Sequence, residues 1–293
     1  MKNNSSLYAW LLLILLSLIW GISPILIKKS LVSLNPFEIG ALRLTFASIS
    51  LLPFIFYNLK EVRKKDYLIL LISGIVGNLL PYFLYPIAQT QIDSNTSGVL
   101  TSLTPFFALI IGILFYKQKA TKNNLLGLLI GFIGTATLIL FSSKSHTLEG
   151  NVFGLFVILA TLLYGINLNL IKHYLNHLKP ITTTSFSIVS ILPFALYILF
   201  YQTPFFEHLK DFEQHKDQFL YVLTLGVLST SLATIIFYHI IKIKDTVFAS
   251  MVTYLMPIVA IFIGIFDGEI INEIQGIGII LIILGVFINS KKN

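Results

Sequence analysis

The chain has 293 residues, 56% of them hydrophobic and 11% charged, with a mean hydropathy of +0.86 and a formal charge of +7. A soluble domain carries roughly a quarter charged residues and under half apolar ones. The composition therefore excludes an ordinary water-soluble enzyme, a disordered chain and a nucleic-acid binder, and the lack of cysteine excludes disulfides, Cys-ligated zinc and iron–sulfur clusters.

A helix crosses the hydrocarbon layer in about 20 apolar residues. Taken in chain order, the apolar stretches predict ten spans: 7–27, 36–56, 67–88, 97–116, 125–141, 152–174, 181–201, 218–241, 246–266 and 274–288. The first is too long for a secretory signal and has no small-residue cleavage pattern after it, so it reads as a retained span. The longest polar connection is 202–217, and function is expected inside the bundle. Lys and Arg collect on the cytoplasmic side of membrane proteins. With the N-terminus inside, the inner connections hold 14 of these residues and the outer ones 5, while Arg43 lies within the second span. This predicts an inner (plasma) membrane protein with both termini in the cytoplasm.

The two halves resemble each other. WGISPILIKKSLVSLNP (20–36) and YGINLNLIKHYLNHLKP (164–180) match at an offset of 144 through Gly21/Gly165, Lys28/Lys172 and Pro36/Pro180. A second block matches at an offset of 152 through Gly74/Gly226, Asp93/Asp245, Pro105/Pro257 and Gly112/Gly264. One residue of slip then aligns Gly127 and Gly134 with Gly278 and Gly285. The expected architecture is all-α and polytopic, with five helices in 1–145 and five in 146–293. Five is odd, so the second unit enters from the opposite side. Such inverted repeats place a solute site near the midplane between them.

Together with the Trp20-Gly21 step, the stretch ALRLTFASISLLP around Arg43 and the pair SNTSGVLTSLTPFFALIIGILF and DTVFASMVTYLMPIVAIFIGIFDGE resemble the EamA family of the drug/metabolite transporter superfamily. The resemblance covers nearly the whole chain. It implies ten helices around a central cavity and export of amino acids and related small metabolites. The family's Gly-Glu step before the fifth helix of each repeat stands here as Gly268-Glu269 in the second half and as Lys117-Gln118 in the first.

The sequence contains no hydrolase, metalloprotease or nucleotide-binding motif. No enzyme activity, cofactor or metal is expected. His173 and His177 are four apart but have no acidic residue near them in sequence, so they read as solvated at a helix end. Arg43 lies about 10 Å into its span. A charge at the membrane centre costs roughly 2.5–3.5 kcal/mol. It therefore reads either as an anion contact or as a clamp on carbonyls of a neighbouring helix end. The resemblance, which implies an Arg here in members with different substrates, favours the clamp. Asp93 and Asp245 each precede a helix and read as caps. Pro105 and Pro257 are expected to kink their helices beside the cavity and act as hinges.

The helices that the resemblance places around the cavity supply the candidate binding residues: Trp20, Arg43, Asn78, Tyr82, Tyr85, Thr104, Tyr164, Asn167, Tyr238 and Tyr254, with Gln89 and Thr101 beside them. Asn78 and Asn167 are costly if they face lipid and should point inward. A neutral polar and aromatic lining suits a small zwitterion or aromatic solute. The expected partners are such a solute and the bilayer, with no nucleic acid. A sugar-phosphate or nucleotide-sugar antiporter is the alternative, and would call for several intramembrane cations. A membrane protein without transport activity is the third reading.

Overall fold

The computed structural model describes residues 2–92, 94–140, 152–266 and 273–290. Asp93, Gly268 and Glu269 lie outside the described residues. The helices among them are α1 (Lys2–Gly21), α2 (Ser23–Ser30), α3 (Pro36–Asn58), α4 (Asp66–Gly74), α5 (Leu80–Gln89), α6 (Ser94–Thr101), α7 (Thr104–Tyr116), α8 (Lys122–Leu140), α9 (Gly154–Tyr174), α10 (Pro180–Ser190), α11 (Leu192–Tyr201), α12 (Phe205–Lys210), α13 (Phe212–Gly226), α14 (Ala233–Ile243), α15 (Thr246–Ser250), α16 (Val252–Phe266) and α17 (Glu273–Ser290). No strand occurs among the described residues. Two π-helical segments, Ile75–Leu79 and Val227–Leu232, join α4 to α5 and α13 to α14, so each pair runs as one rod.

Among the described residues, seven helical stretches are long and apolar enough to cross a bilayer: Leu7–Ser30, Pro36–Glu61, Asp66–Gln89, Ser97–Tyr116, Gly154–Tyr174, Pro180–Tyr201 and Phe212–Ile243. Two shorter apolar helical stretches, Thr246–Val259 and Gly276–Asn289, follow. The protein is a multi-pass membrane protein. Phe56, Leu114 and Phe115 are each about 70% exposed, and such outward faces meet lipid chains, which take the place of a core there.

One boundary differs markedly from expectation. Much of 202–217 is helical, because α12 occupies Phe205–Lys210 and α13 begins at Phe212. Aromatic residues account for this. Phe200 stacks on Phe206 at 5.4 Å, and Phe205 and Phe212 meet Phe219 at 6.3 and 5.7 Å. The charged residues between them conceal that apolar face in a linear reading.

Proline positions sort into two kinds. Pro24, Pro36, Pro105, Pro180 and Pro193 sit in the first turn of their helices, where a missing N–H costs nothing, while Pro81 lies within the rod that the first π segment continues. Pro53, Pro86 and Pro257 lie inside theirs. Pro105 thus does not kink a helix from within: α6 ends at Thr101, and α7 restarts at Thr104. As expected, the Asp245 carboxylate caps the next helix, accepting from the Phe248 N–H at 2.8 Å.

The last helices of the two halves, α8 and α17, pack antiparallel. A Cβ built on Gly127 would lie 2.6 Å from the Gly285 oxygen, and one on Gly134 would lie 2.9 Å from the Gly278 oxygen. Asn124 Nδ2 donates to Asn289 Oδ1 at 2.7 Å along the same seam.

Candidate functional site

The α1–α2 break, α3, the two π-containing rods, the α6–α7 break, α9 and α16 enclose a cavity of about 110 Å³. That is well above the ~10–15 Å³ needed for one water. Trp20, Arg43, Asn78, Tyr82, Tyr85, Thr104, Tyr164, Asn167 and Tyr238 all line it, and so do Gln89 and Thr101. Tyr254 does not. It is fully buried, donates its hydroxyl to the Leu128 carbonyl at 3.1 Å and lays its ring on Gly131. Thr253 and Met256 face the cavity from the same helix, and at about 100° per residue Tyr254 falls on another side. Pro105 and Pro257 do not line the cavity, although Thr104 and Met256, the residues just before them, do.

Arg43 clamps a neighbouring helix and also borders the cavity. Its Nε donates to Thr230 Oγ1 at 2.8 Å, and Nη2 donates to the Ser229 carbonyl at 3.5 Å. Its guanidinium sits 3.9 Å from the centre of the Tyr82 ring. Trp20 Nε1 donates to the same Ser229 oxygen at 2.8 Å. A π segment shifts the backbone register and breaks the ordinary i→i−4 pairing, and these side chains hold the segment 227–232 in place. Arg43 is only 6% exposed and still borders the cavity, so its charge is poorly screened there.

The rest of the lining is aromatic and amide in character. Tyr85 stacks on Tyr164 at 6.1 Å, and the Tyr85 hydroxyl shares a 2.9 Å hydrogen bond with Thr101. Asn167 Nδ2 donates to the Tyr238 hydroxyl at 3.2 Å, and Ser73 donates to Asn167 Oδ1 at 2.6 Å. Other groups have no partner: Asn78 Nδ2, both amide atoms of Gln89 and the Ser23 hydroxyl. Buried polar groups are normally paired, so these four atoms mark where a solute or water can bind.

Sequence reasoning missed Ser23, Thr234, Phe237, Thr253 and Met256, all of which line the cavity. The repeat carried the signal that would have found them. At an offset of 152, Tyr82, Tyr85, Thr101 and Thr104 map onto Thr234, Phe237, Thr253 and Met256. At 144, Trp20 and Ser23 map onto Tyr164 and Asn167. Both members of every one of these pairs face the cavity.

The contacts behind the lining are paired too. A Cβ on Gly74 would overlap the Ser187 carbonyl of α10, while one on Gly226 would lie 2.8 Å from the Arg43 carbonyl of α3. Lys28 Nζ donates to the Gln89 carbonyl, and Lys172 Nζ to the Ile241 carbonyl, each at 3.3 Å.

His177 lies beyond the end of α9 and does have an acidic partner. Asp66 Oδ2, from the far end of the 59–66 turn, is 3.0 Å from both His177 Nε2 and Arg63 Nε. His173 instead stacks on Tyr116 at 4.2 Å. At the opposite end of α3, the buried Glu38 pairs with His208 Nδ1 at 2.9 Å.

The model of the EamA-like transporter family matches residues 7–140 and again 153–291. The chain belongs to that family. It is 25% identical to an "uncharacterized transporter" of Archaeoglobus fulgidus across 97% of this chain and 99% of that one. It is 27% identical to the "uncharacterized transporter YetK" of Bacillus subtilis, across 92% of this chain and 83% of that one. A protein crystal structure with 16% sequence identity superposes at a TM-score of 0.72, covering 97% of this chain and 96% of the other, and shows the likeness of fold alone.

Proposed function

We propose that this family member is an inner-membrane secondary transporter that exports amino acids or related small metabolites by alternating access. The observation that carries this is the cavity lining: one buried cation, a stacked tyrosine pair and amides without partners. Arg43 and Asn78 Nδ2 suit a carboxylate, Gln89 Oε1 an ammonium group, and the Tyr85–Tyr164 pair an apolar or aromatic side chain. Arg43 is the only Lys or Arg among the described lining residues. A phosphorylated or nucleotide-linked sugar would call for several, so a sugar-phosphate antiporter ranks second.

The mechanism rests on two five-helix units, 1–145 and 146–293, threaded in opposite senses as ten spans with cytoplasmic termini. Support comes from the double match of the family model and from the paired contacts of Gly74 with Gly226 and Lys28 with Lys172. The antiparallel α8–α17 seam adds to it. Pro257 inside α16 and the α6–α7 break at Pro105 are the proposed bending points.

Counterflow in liposomes with labelled amino acids, with and without a pH gradient, tests the reading. Saturable exchange of at least one amino acid is expected. Exchange of a sugar phosphate with none of any amino acid would reverse the ranking. Periplasmic labelling of a tag placed at 60–65 would overturn the topology.

A further inference from the structure

The pairing of the cavity lining fails at one end. Arg43, Asn78, Gln89 and Ile27 line it, whereas their counterparts Ser187, Thr230, Ile241 and Ile171 do not. The space therefore leans toward the end of the bundle where α2 meets α3. Gln89 is shared there with a second recess bounded by Lys28, Asn35, Pro36 and Thr90. Gln89 is fully buried, and neither atom of its amide has a hydrogen-bond partner.

The two lysines in the repeat clarify what this recess is. Lys172 is half-buried and donates to two carbonyls, of Ile241 at 3.3 Å and Lys244 at 3.4 Å. That is a closed arrangement at one helix end. Lys28 makes the matching bond to the Gln89 carbonyl, but it is exposed, and Gln89, whose amide is unpaired, borders the same recess. An ammonium and an amide N–H on one recess are donors for a carboxylate, and the amide oxygen accepts from an ammonium.

We propose that Lys28 and Gln89 form a second, outer binding site for the carboxylate of a free amino acid, between the central cavity and the surface. The proposal rests on the amino-acid reading above and adds to it a stopping point on the solute's route.

The test uses the full-length protein with Trp10→Phe in lipid nanodiscs, which leaves Trp20 as the only tryptophan. Trp20 fluorescence reports the central cavity. The rate at which sulfo-NHS-acetate acetylates Lys28, read by mass spectrometry against neighbouring Lys29, reports the outer site. Each of the twenty common amino acids is compared with the amine that lacks its carboxylate. An amino acid that shifts Trp20 emission should slow Lys28 acetylation about fivefold, the protection that ~80% occupancy gives. The matching amine should leave Lys28 unprotected. Gln89→Leu should abolish the protection, and Lys28→Met, which lies outside the central lining, should leave the Trp20 response in place. A Trp20 response without Lys28 protection overturns the outer site and leaves the central one standing. Equal protection by the amine overturns carboxylate recognition at Lys28. No response at either probe to any amino acid overturns both sites.

Discussion

The two π-helical segments occupy corresponding places in the two halves and differ in how their polar groups are used. Ile75–Leu79 follows Gly74, and Val227–Leu232 follows Gly226. Both glycines press onto a carbonyl of a helix from the other half. In the second segment the groups are engaged. Trp20 and Arg43 donate to Ser229 and Thr230, and Ser231 Oγ donates to the Ala47 carbonyl at 3.1 Å. In the first, the counterparts of Trp20 and Arg43 are Tyr164 and Ser187. There the Ser187 hydroxyl and Asn78 Nδ2 have no partner. One backbone device therefore serves as a clamp in one half and, on our reading, as a polar opening toward solute in the other. The outcomes differ with Trp20 against Tyr164, Arg43 against Ser187, and Ser229, Thr230 and Ser231 against Gly77, Asn78 and Leu79.

The largest effect is expected at the shared feature. Gly74→Val and Gly226→Val each force a side chain against backbone, and each should lower unfolding stability by roughly 1–3 kcal/mol or more. Thermal unfolding in detergent measures it. A large loss at one glycine and none at the other would break the equivalence of the segments. Next comes Arg43→Met, which removes charge-assisted bonds from the clamp and should cost roughly 1.5–3 kcal/mol. Solute affinity in liposomes should also fall about tenfold, equivalent to ~1.4 kcal/mol. Unchanged stability would mean that Arg43 serves the solute alone.

Trp20→Phe removes the bond to the Ser229 carbonyl and trims the indole to a single ring, so at least about 0.5–1.5 kcal/mol should be lost. The smallest effect on stability belongs to the open segment. Asn78→Leu removes a donor that has no protein partner and should change stability by only about 0.5 kcal/mol in either direction. Transport affinity should nevertheless fall several-fold. A large destabilisation, or unaltered transport kinetics, would show that Asn78 is structural.

Much of the site was legible in the sequence, because an Asn, Gln or Arg inside an apolar span has few tolerable places to go. Asn78 and Asn167 were directed inward on that ground, Arg43 was left between two roles, Gln89 came through the family resemblance, and all four border the cavity. Tyr254 was misread because an aromatic hydroxyl in a span can also be satisfied by a free carbonyl, here that of Leu128. Phe237 and Met256 carry no polar signal at all and could be reached only through their counterparts Tyr85 and Thr104. The 202–217 connection was misread because its phenylalanines are interleaved with charges.

By itself, the sequence determined that the chain crosses a membrane many times, where most helices begin, and which residues of one half answer to which of the other. Apolar length, proline placement and residue spacing are local quantities, and hydrocarbon enforces them strictly. Only the tertiary structure decided which helix faces meet. It paired Asp66 with His177 across 111 residues, sent Tyr254 away from the cavity, and left the amides of Asn78 and Gln89 open while the clamp on 227–232 closed. Those outcomes depend on helix rotation and on the competition among neighbours for each freed carbonyl, which no linear pattern encodes.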